Sequence, residues 1–303
     1  MTGLTIRTSA KVNLCLRVLG RRADGYHEIE TVLHTVGLWD RLSLSPIPGE
    51  PRIALEANTP DVSLDEGNLC WRAADLIARH AKAPDGVAIR LEKSIPVAAG
   101  LGGGSSDAAA TLVGLARLWE LDLAPEEVAS LAAQLGADVP FFLRGGCCLA
   151  RGRGEELDPV PELSAWLVLV VPERRVPTAQ AYAALRRGAA RGRRKGLTRA
   201  AQRVVRALRE GDVTALAGSL HNDFEDAGMA AIADAREAKA ALVEAGCLGA
   251  VLSGSGPSVF GIAPDSQAAG AIAERLRPRW PWVLAVPTVP ARDRLTIGPA
   301  TEA

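Results

Sequence analysis

Seven residues, 100-GLGGGSS-106, hold four glycines and two serines, and they stand between two patterns of different period. Before them, 87-VAIRLEKSI-95 alternates as a half-buried strand does, and Pro96 ends it. After them an alanine-rich run has the composition of a helix, expected over about 106–119. The order strand, glycine loop, helix restricts the fold and suggests a use. A helix start carries unpaired N–H groups and partial positive charge, and glycines let backbone approach a ligand closely. Together they read as a cradle for phosphate. A Gly/Ser run alone reads equally well as a flexible linker or a plain helix start. Two familiar cradles are excluded. A Walker loop needs a lysine after its second glycine, and none occurs between Lys93 and Lys195. A dinucleotide fingerprint needs a further strand after the helix, where Pro125 instead opens another helix at about 125–135.

The rest of the chain mixes strands and helices without regular βαβ alternation, so the fold class is α+β. Leu4, Ile6, Ala10, Val12, Leu14, Leu16 and Val18 share one parity and read as a strand with a single buried face. Asp24-Gly25 marks a turn, and 26–38 returns as the second arm of a hairpin. Short strands are expected at 41–47 and 52–57, and a helix at 68–82. In the second half the readings are strand at 166–171, helices at 198–209, 212–224 and 231–245, and strand, Gly/Ser loop, strand over 248–263. A helix at 266–277 and a strand at 282–288 close the chain. The length of 303 residues suits two domains, and the Pro-rich 158-DPVPE-162 places the boundary near 160, giving 1–160 and 161–303.

Composition narrows the classes of function. Lys plus Arg and Asp plus Glu number 35 each, which argues against a protein that binds nucleic acid through bulk charge. The apolar run 165-AWLVLVV-171 is too short to span a bilayer, and Arg7 and Lys11 interrupt any signal-peptide core. Five cysteines without a C-x-x-C suggest neither a disulfide framework nor a zinc site, so a cytoplasmic location is expected. Of 35 basic residues only five are lysines, so a lysine in an unusual setting stands out. Lys11 and Asn13 sit two apart on the first strand, opposite its apolar face. The alternative is a solvent-facing polar side of a sheet. Asp138, after the helix stop at Gly136 and before Pro140, reads equally as a local helix cap.

Taken together, 9-SAKVNLCL-16, 96-PVAAGLGGGSS-106 and 252-LSGSGPSVFG-261 resemble, in order and spacing, the three motifs of the GHMP kinase superfamily. Within it the closest likeness is to the branch that phosphorylates a cytidine diphosphate alcohol of the non-mevalonate isoprenoid pathway. There a D-G-Y-H segment follows the first strand, as 24-DGYHEIETV-32 does here, and G-A-D-V-P-F-F, here 136–142, recurs. The resemblance implies a two-domain fold: an N-terminal ATP-binding domain like the second domain of ribosomal protein S5, a ferredoxin-like C-terminal α/β sandwich, and the active site between them. It implies transfer of phosphate from ATP, with Mg²⁺, to a 2-hydroxyl of the small-molecule substrate.

The same resemblance gives Asp138 the role of general base and Lys11 that of its charged partner. ATP would be held by Pro96, Val97, Ala98, Ala99, Gly100, Leu101, Gly102, Gly103, Gly104, Ser105 and Ser106, with Asn68 on the adenosine side. Ser106 would also touch the metal. Asn13 would help bind substrate. Tyr26 and Tyr182, the only tyrosines, would sandwich the cytosine, with His27 hydrogen-bonding its edge. Neither nucleic acid nor membrane is expected as a partner, and the chain is expected to be a monomer or weak homodimer. Another superfamily kinase, acting on homoserine, mevalonate or a sugar, would keep the ATP loop without the cytidine set. A non-catalytic nucleotide-binding module, or an RNA-binding role for 186-RRGAARGRRKG-196, where six of eleven residues are basic, are further alternatives. The basic stretch lacks the aromatics that base stacking needs and reads as a solvated loop.

Overall fold

A computed structural model describes residues 3–48, 52–82, 85–174, 178–185, 188, 196–226 and 230–299. Strand β1 (Leu4–Arg21) pairs antiparallel with β2 (His27–Ile47) through the expected turn, where Gly25 takes φ 87°. The second arm does not stop at residue 38. It runs on through the expected break because the register shifts between Ser9 and Ala10, a bulge that absorbs two extra residues of β2. β3 (Ile53–Ala57) and, after helix α1 (Leu69–Ala81), β4 (Gly86–Glu92) extend the sheet in the order β1-β2-β4-β3. Helices α2 (Gly103–Leu118), α3 (Pro125–Leu135) and the short α4 (Val139–Arg144) follow, then β5 (Cys147–Gly152) on the other part of β2 and β6 (Glu156–Pro159) beside it.

The second half begins with β7 (Trp166–Val171), α5 (Thr178–Ala184), α6 (Arg199–Glu210) and α7 (Val213–Ala217). The helix expected over 212–224 is therefore cut short. Gly218 ends it, and β8 (His221–Asn222) and a 3₁₀ turn (Asp223–Asp226) take up the remainder. Next come α8 (Ala230–Glu244), β9 (Gly249–Leu252), β10 (Val259–Ala263), α9 (Ser266–Leu276), β11 (Trp282–Pro287) and β12 (Leu295–Pro299). The sheet β11-β7-β10-β9 is antiparallel throughout, with the order expected of a ferredoxin-like unit. β8 and β12 both pair with β1, so the eight-stranded sheet draws strands from both sides of residue 160.

The register shift between β1 and β2 positions the site. Before it, Ile6 packs into the core under α1 to α4; after it, Ala10, Val12 and Leu14 pack into a second core with α6, β7 and β10. The single apolar face expected of this strand is thus divided among three cores, since Leu16 and Val18 join a third with β9 and β10. Just past the shift, Lys11 lies against the glycine loop, where its backbone N–H donates to Leu101 O at 2.9 Å. Lys11 and Asn13 are buried, so the polar side of β1 is not a solvent face.

Candidate active site

One cleft of about 1210 Å³ gathers the expected residues. Lys11, Asn13, Tyr26, His27, Asn68, Pro96 to Gly100, Gly102 to Ser105, Asp138 and Tyr182 all line it. Leu101 and Ser106 do not line it. Leu101 is a core side chain whose carbonyl holds β1. The Ser106 hydroxyl is fully buried, lies 2.6 Å from Thr8 Oγ1 and donates to Ser9 O at 2.6 Å. It ties α2 to β1 and does not line the cleft.

The glycine loop differs in detail from a loop that merely precedes a helix. α2 starts at Gly103, so Gly103 and Gly104 are its first residues, and Gly102 caps it in the left-handed region at φ 76° with no side-chain cap. Gly100 is also left-handed, at φ 80°, and a Cβ there would stand 2.3 Å from Ser253 O. At Gly102 a Cβ would meet Phe142 Cζ at 2.7 Å and Lys11 Cγ at 2.9 Å. Ala98 holds φ 53° without being glycine, a strained position of the kind found at ligand sites. The late Gly/Ser loop closes over this turn: the Ser253 hydroxyl donates to Gly100 O at 3.0 Å and Ser258 N–H donates to Ala99 O at 3.2 Å. The uncapped start of α2 leaves its first N–H groups to face the cleft as anion donors.

Beside the loop, Lys11 Nζ stands 3.7 Å from Asp138 Oδ2 and donates to Asn13 Oδ1 at 2.7 Å. Asn13 Nδ2 donates to Thr31 Oγ1 at 2.8 Å, so the amide expected to bind substrate is committed to orienting Lys11. Burial pulls the Lys11 ammonium below its ordinary lysine range, against the Asp138 charge that pushes it back up. Asp138 sits at the cap position of α4 but makes no capping bond there. Its side chain is 37% exposed into the cleft, open to a hydroxyl. Asn68 does cap its helix, accepting from Cys70 N at 2.8 Å, while also facing the cleft.

At the far aromatic end, His27 and Tyr182 stack with centroids 4.8 Å apart and planes at 26°, and Phe224 meets Tyr182 edge-on at 4.8 Å. The ring contact made here is therefore His27 with Tyr182, rather than a pair of tyrosines. Tyr26 is 58% exposed and lies under Arg153, whose Cζ is 5.1 Å from the ring centroid. Burial, and then the Arg21 charge, lower the His27 pKa, which favours a neutral imidazole able both to donate and to accept. Pro177 and nearly all of the basic stretch 186–196 lie outside the described residues.

Sequence reasoning missed a buried cluster on the same cleft. Lys93 Nζ pairs with Asp107 Oδ2 at 2.7 Å and with Asp40 Oδ2. Burial, reinforced by Asp40 and opposed by Lys93, pushes the Asp107 carboxyl above its usual range. Burial also works against the Lys93 charge, but the two carboxylates outweigh it and raise its pKa. The scarcity of lysine, which drew attention to Lys11, applied equally to Lys93.

Comparison with known proteins places these features. Residues 68–146 match the family described as GHMP kinases N terminal domain, and residues 204–281 match GHMP kinases C terminal. The chain is 44% identical over 277 residues to 4-diphosphocytidyl-2-C-methyl-D-erythritol kinase of Pelotomaculum thermopropionicum, covering 90% of this chain and 94% of that one. It is also 44% identical to the enzyme of that name from Symbiobacterium thermophilum, covering 93% and 99%. A crystal structure of 4-(cytidine 5'-diphospho)-2C-methyl-D-erythritol kinase superposes with a TM-score of 0.78 at 36% identity, over 94% of this chain and 98% of that one. Homoserine kinase from Cytophaga hutchinsonii reaches a TM-score of 0.73 at 19% identity, over 98% of both chains, which is a likeness of fold alone. The glycine loop and the Lys11–Asp138 pair thus stand in a chain whose identity to these relatives is high over nearly its full length, and the chain belongs to the GHMP kinases, within the 4-diphosphocytidyl-2-C-methyl-D-erythritol kinase family.

Proposed function

We propose that the chain transfers the γ-phosphoryl group of ATP to the 2-hydroxyl of 4-diphosphocytidyl-2-C-methyl-D-erythritol, with Asp138 as the base. The observation that carries this reading is the Lys11–Asp138 pair, 3.7 Å apart, in a cleft that also holds the glycine loop, His27 and Tyr182. A tertiary alcohol is a weak nucleophile until its proton is accepted, and Asp138, uncommitted to capping, is free to accept it. Lys11, aimed by Asn13, brings positive charge to the transferring group, whose transition state spreads negative charge over its oxygens. The N–H groups at the start of α2 hold the phosphates of ATP, the phosphoryl donor of GHMP kinases. His27 and Tyr182 receive the cytosine, and Tyr26 covers it.

Magnesium enters this reading as the companion of the ATP phosphates. Ser106 does not fit as its ligand, because its hydroxyl is bonded to Thr8 and Ser9. The described residues contain no group of three or more His, Cys, Asp or Glu that could hold a metal by themselves, so phosphate oxygens of the nucleotide would supply part of its ligands. Bound there, it would neutralise charge developing on the phosphates. No helix among the described residues is long and apolar enough to cross a membrane. The test is ADP formation with the purified chain. The cytidine compound is expected to support turnover at least about a hundredfold above homoserine or mevalonate in kcat/KM, since both lack the group that the aromatic end would bind. Equal rates with the three alcohols would overturn the reading.

A further inference from the structure

We propose that Asp107 is a positioning residue for the ATP loop, acting through Lys93 and the buried Asp40; the inference rests on the reading that the glycine loop holds ATP. α2 begins at a left-handed glycine with no side-chain cap. That leaves its first N–H groups unobstructed, but it also removes the tether that a Ser or Asp cap supplies. The tether comes from the side instead. Gly103 and Asp107 are four residues apart and share a helix face. Both adjoin Lys93: its ammonium nitrogen is 2.7 Å from Asp107 Oδ2 and 2.9 Å from where a Cβ on Gly103 would lie.

Asp40 completes the clamp. It is fully buried on β2, pairs with Lys93 through Oδ2, and accepts from Ser94 N–H at 2.6 Å and Ile95 N–H at 2.9 Å through Oδ1. One carboxylate therefore grips the chain just past β4, the other belongs to α2, and the ammonium joins them directly behind the loop. Asp107 Oδ1 has no hydrogen-bond partner, although the residue is 2% exposed and lines the cleft. A purely structural ion pair gains by satisfying both oxygens. This one keeps a buried oxygen unpaired at the first turn of α2, a cost that the clamp on the loop offsets.

The clamp predicts a loss confined to ATP. Dissociation constants for ATP by calorimetry, and KM for ATP and for the cytidine substrate, are compared between wild type, Asp107→Asn and Lys93→Met. Asn is nearly isosteric with Asp, and Lys93→Met removes the ammonium while leaving the carboxyls free to protonate; if one variant does not fold, the other carries the test. Loss of a charge-assisted bond here is expected to weaken ATP roughly tenfold or more, with KM for the cytidine substrate within about twofold of wild type. Gly104→Val is run beside them, because a side chain there blocks the phosphates without disturbing the clamp. ATP affinity kept by both clamp variants and lost by Gly104→Val overturns the proposal. ATP affinity kept by Gly104→Val as well overturns the reading beneath it, and the proposal with it. Lower thermal stability with equal losses for both substrates assigns the cluster to folding alone and also overturns it.

Discussion

Lys11 is an ammonium in a place that disfavours ammoniums. Burial lowers its pKa, and the Asp138 charge opposes this. Asn13 then fixes its direction at 2.7 Å, so the lysine is held as a point charge beside an otherwise uncommitted carboxylate. Arginine, the habitual cation of this chain, would put a planar fork of five donors where Asn13 and Asp138 receive a compact point charge. If Asp138 accepts the hydroxyl proton, Asp138→Asn removes the base while keeping the shape. The expected result is a fall in kcat of roughly 10²–10⁴-fold with both substrates still bound at near wild-type affinity. A folded variant that kept wild-type kcat would take the role away from Asp138. These two residues were legible in the sequence because they fall in motifs. Lys93, Asp107 and Asp40 were not, since they meet only through the pairing of β2 with β4 and the docking of α2.

The elements that sequence periodicity marked out were long ones. α1, α3, α6 and α9 lie where apolar spacing and caps put them. α4 was missed because six residues are too few to show a period, and Pro140 masks its first turn. The helix after Gly211 was read too long, because its later residues have tertiary partners that no local pattern reveals. Asn222 donates to Leu252 O and Gly254 O, each at 2.8 Å, and so holds the late Gly/Ser loop against the ATP loop. Within the glycine run itself, each glycine has its own reason. Gly100 and Gly102 need left-handed backbone and close approach, whereas Gly104 has only Leu69 Cδ1 at 3.7 Å from its Cβ position. Gly104 is therefore the position where a side chain intrudes on the ligand rather than on the protein. Gly104→Val is expected to weaken ATP by about tenfold or more, with thermal unfolding little changed. Calorimetric affinity equal to wild type would mean that the loop is a structural turn.

At the scale of the whole molecule, the two halves are joined at the place where the substrate is expected to sit. β8 and β12 return to the first sheet, and α5 brings Tyr182 onto His27 at the start of β2. The sequence showed two tyrosines far apart beside a histidine, but not which rings would touch, because that depends on how α5 lies over the β1–β2 hairpin. The contact has a consequence for binding. With centroids 4.8 Å apart and planes at 26°, His27 and Tyr182 leave no space for a base between them, so cytosine must either stack outside the pair or part it. In both cases Tyr182, backed edge-on by Phe224, is the rigid face, and Tyr26, 58% exposed, is the one with surface left to bury. Base–aromatic stacking contributes about 1–3 kcal/mol per base. Tyr182→Ala should then weaken the cytidine substrate by roughly ten- to a hundredfold and leave ATP nearly unaffected, because the phosphate loop is built from other residues. Stacking tolerates any base, so preference for cytosine over uracil should fall with His27→Ala, whose neutral ring can donate and accept at the base edge. Binding of cytidine and uridine diphosphates to wild type, Tyr182→Ala and His27→Ala, with ATP as the control, separates these roles. Equal losses for ATP and the cytidine ligand, or none for either, would move the base to another part of the cleft.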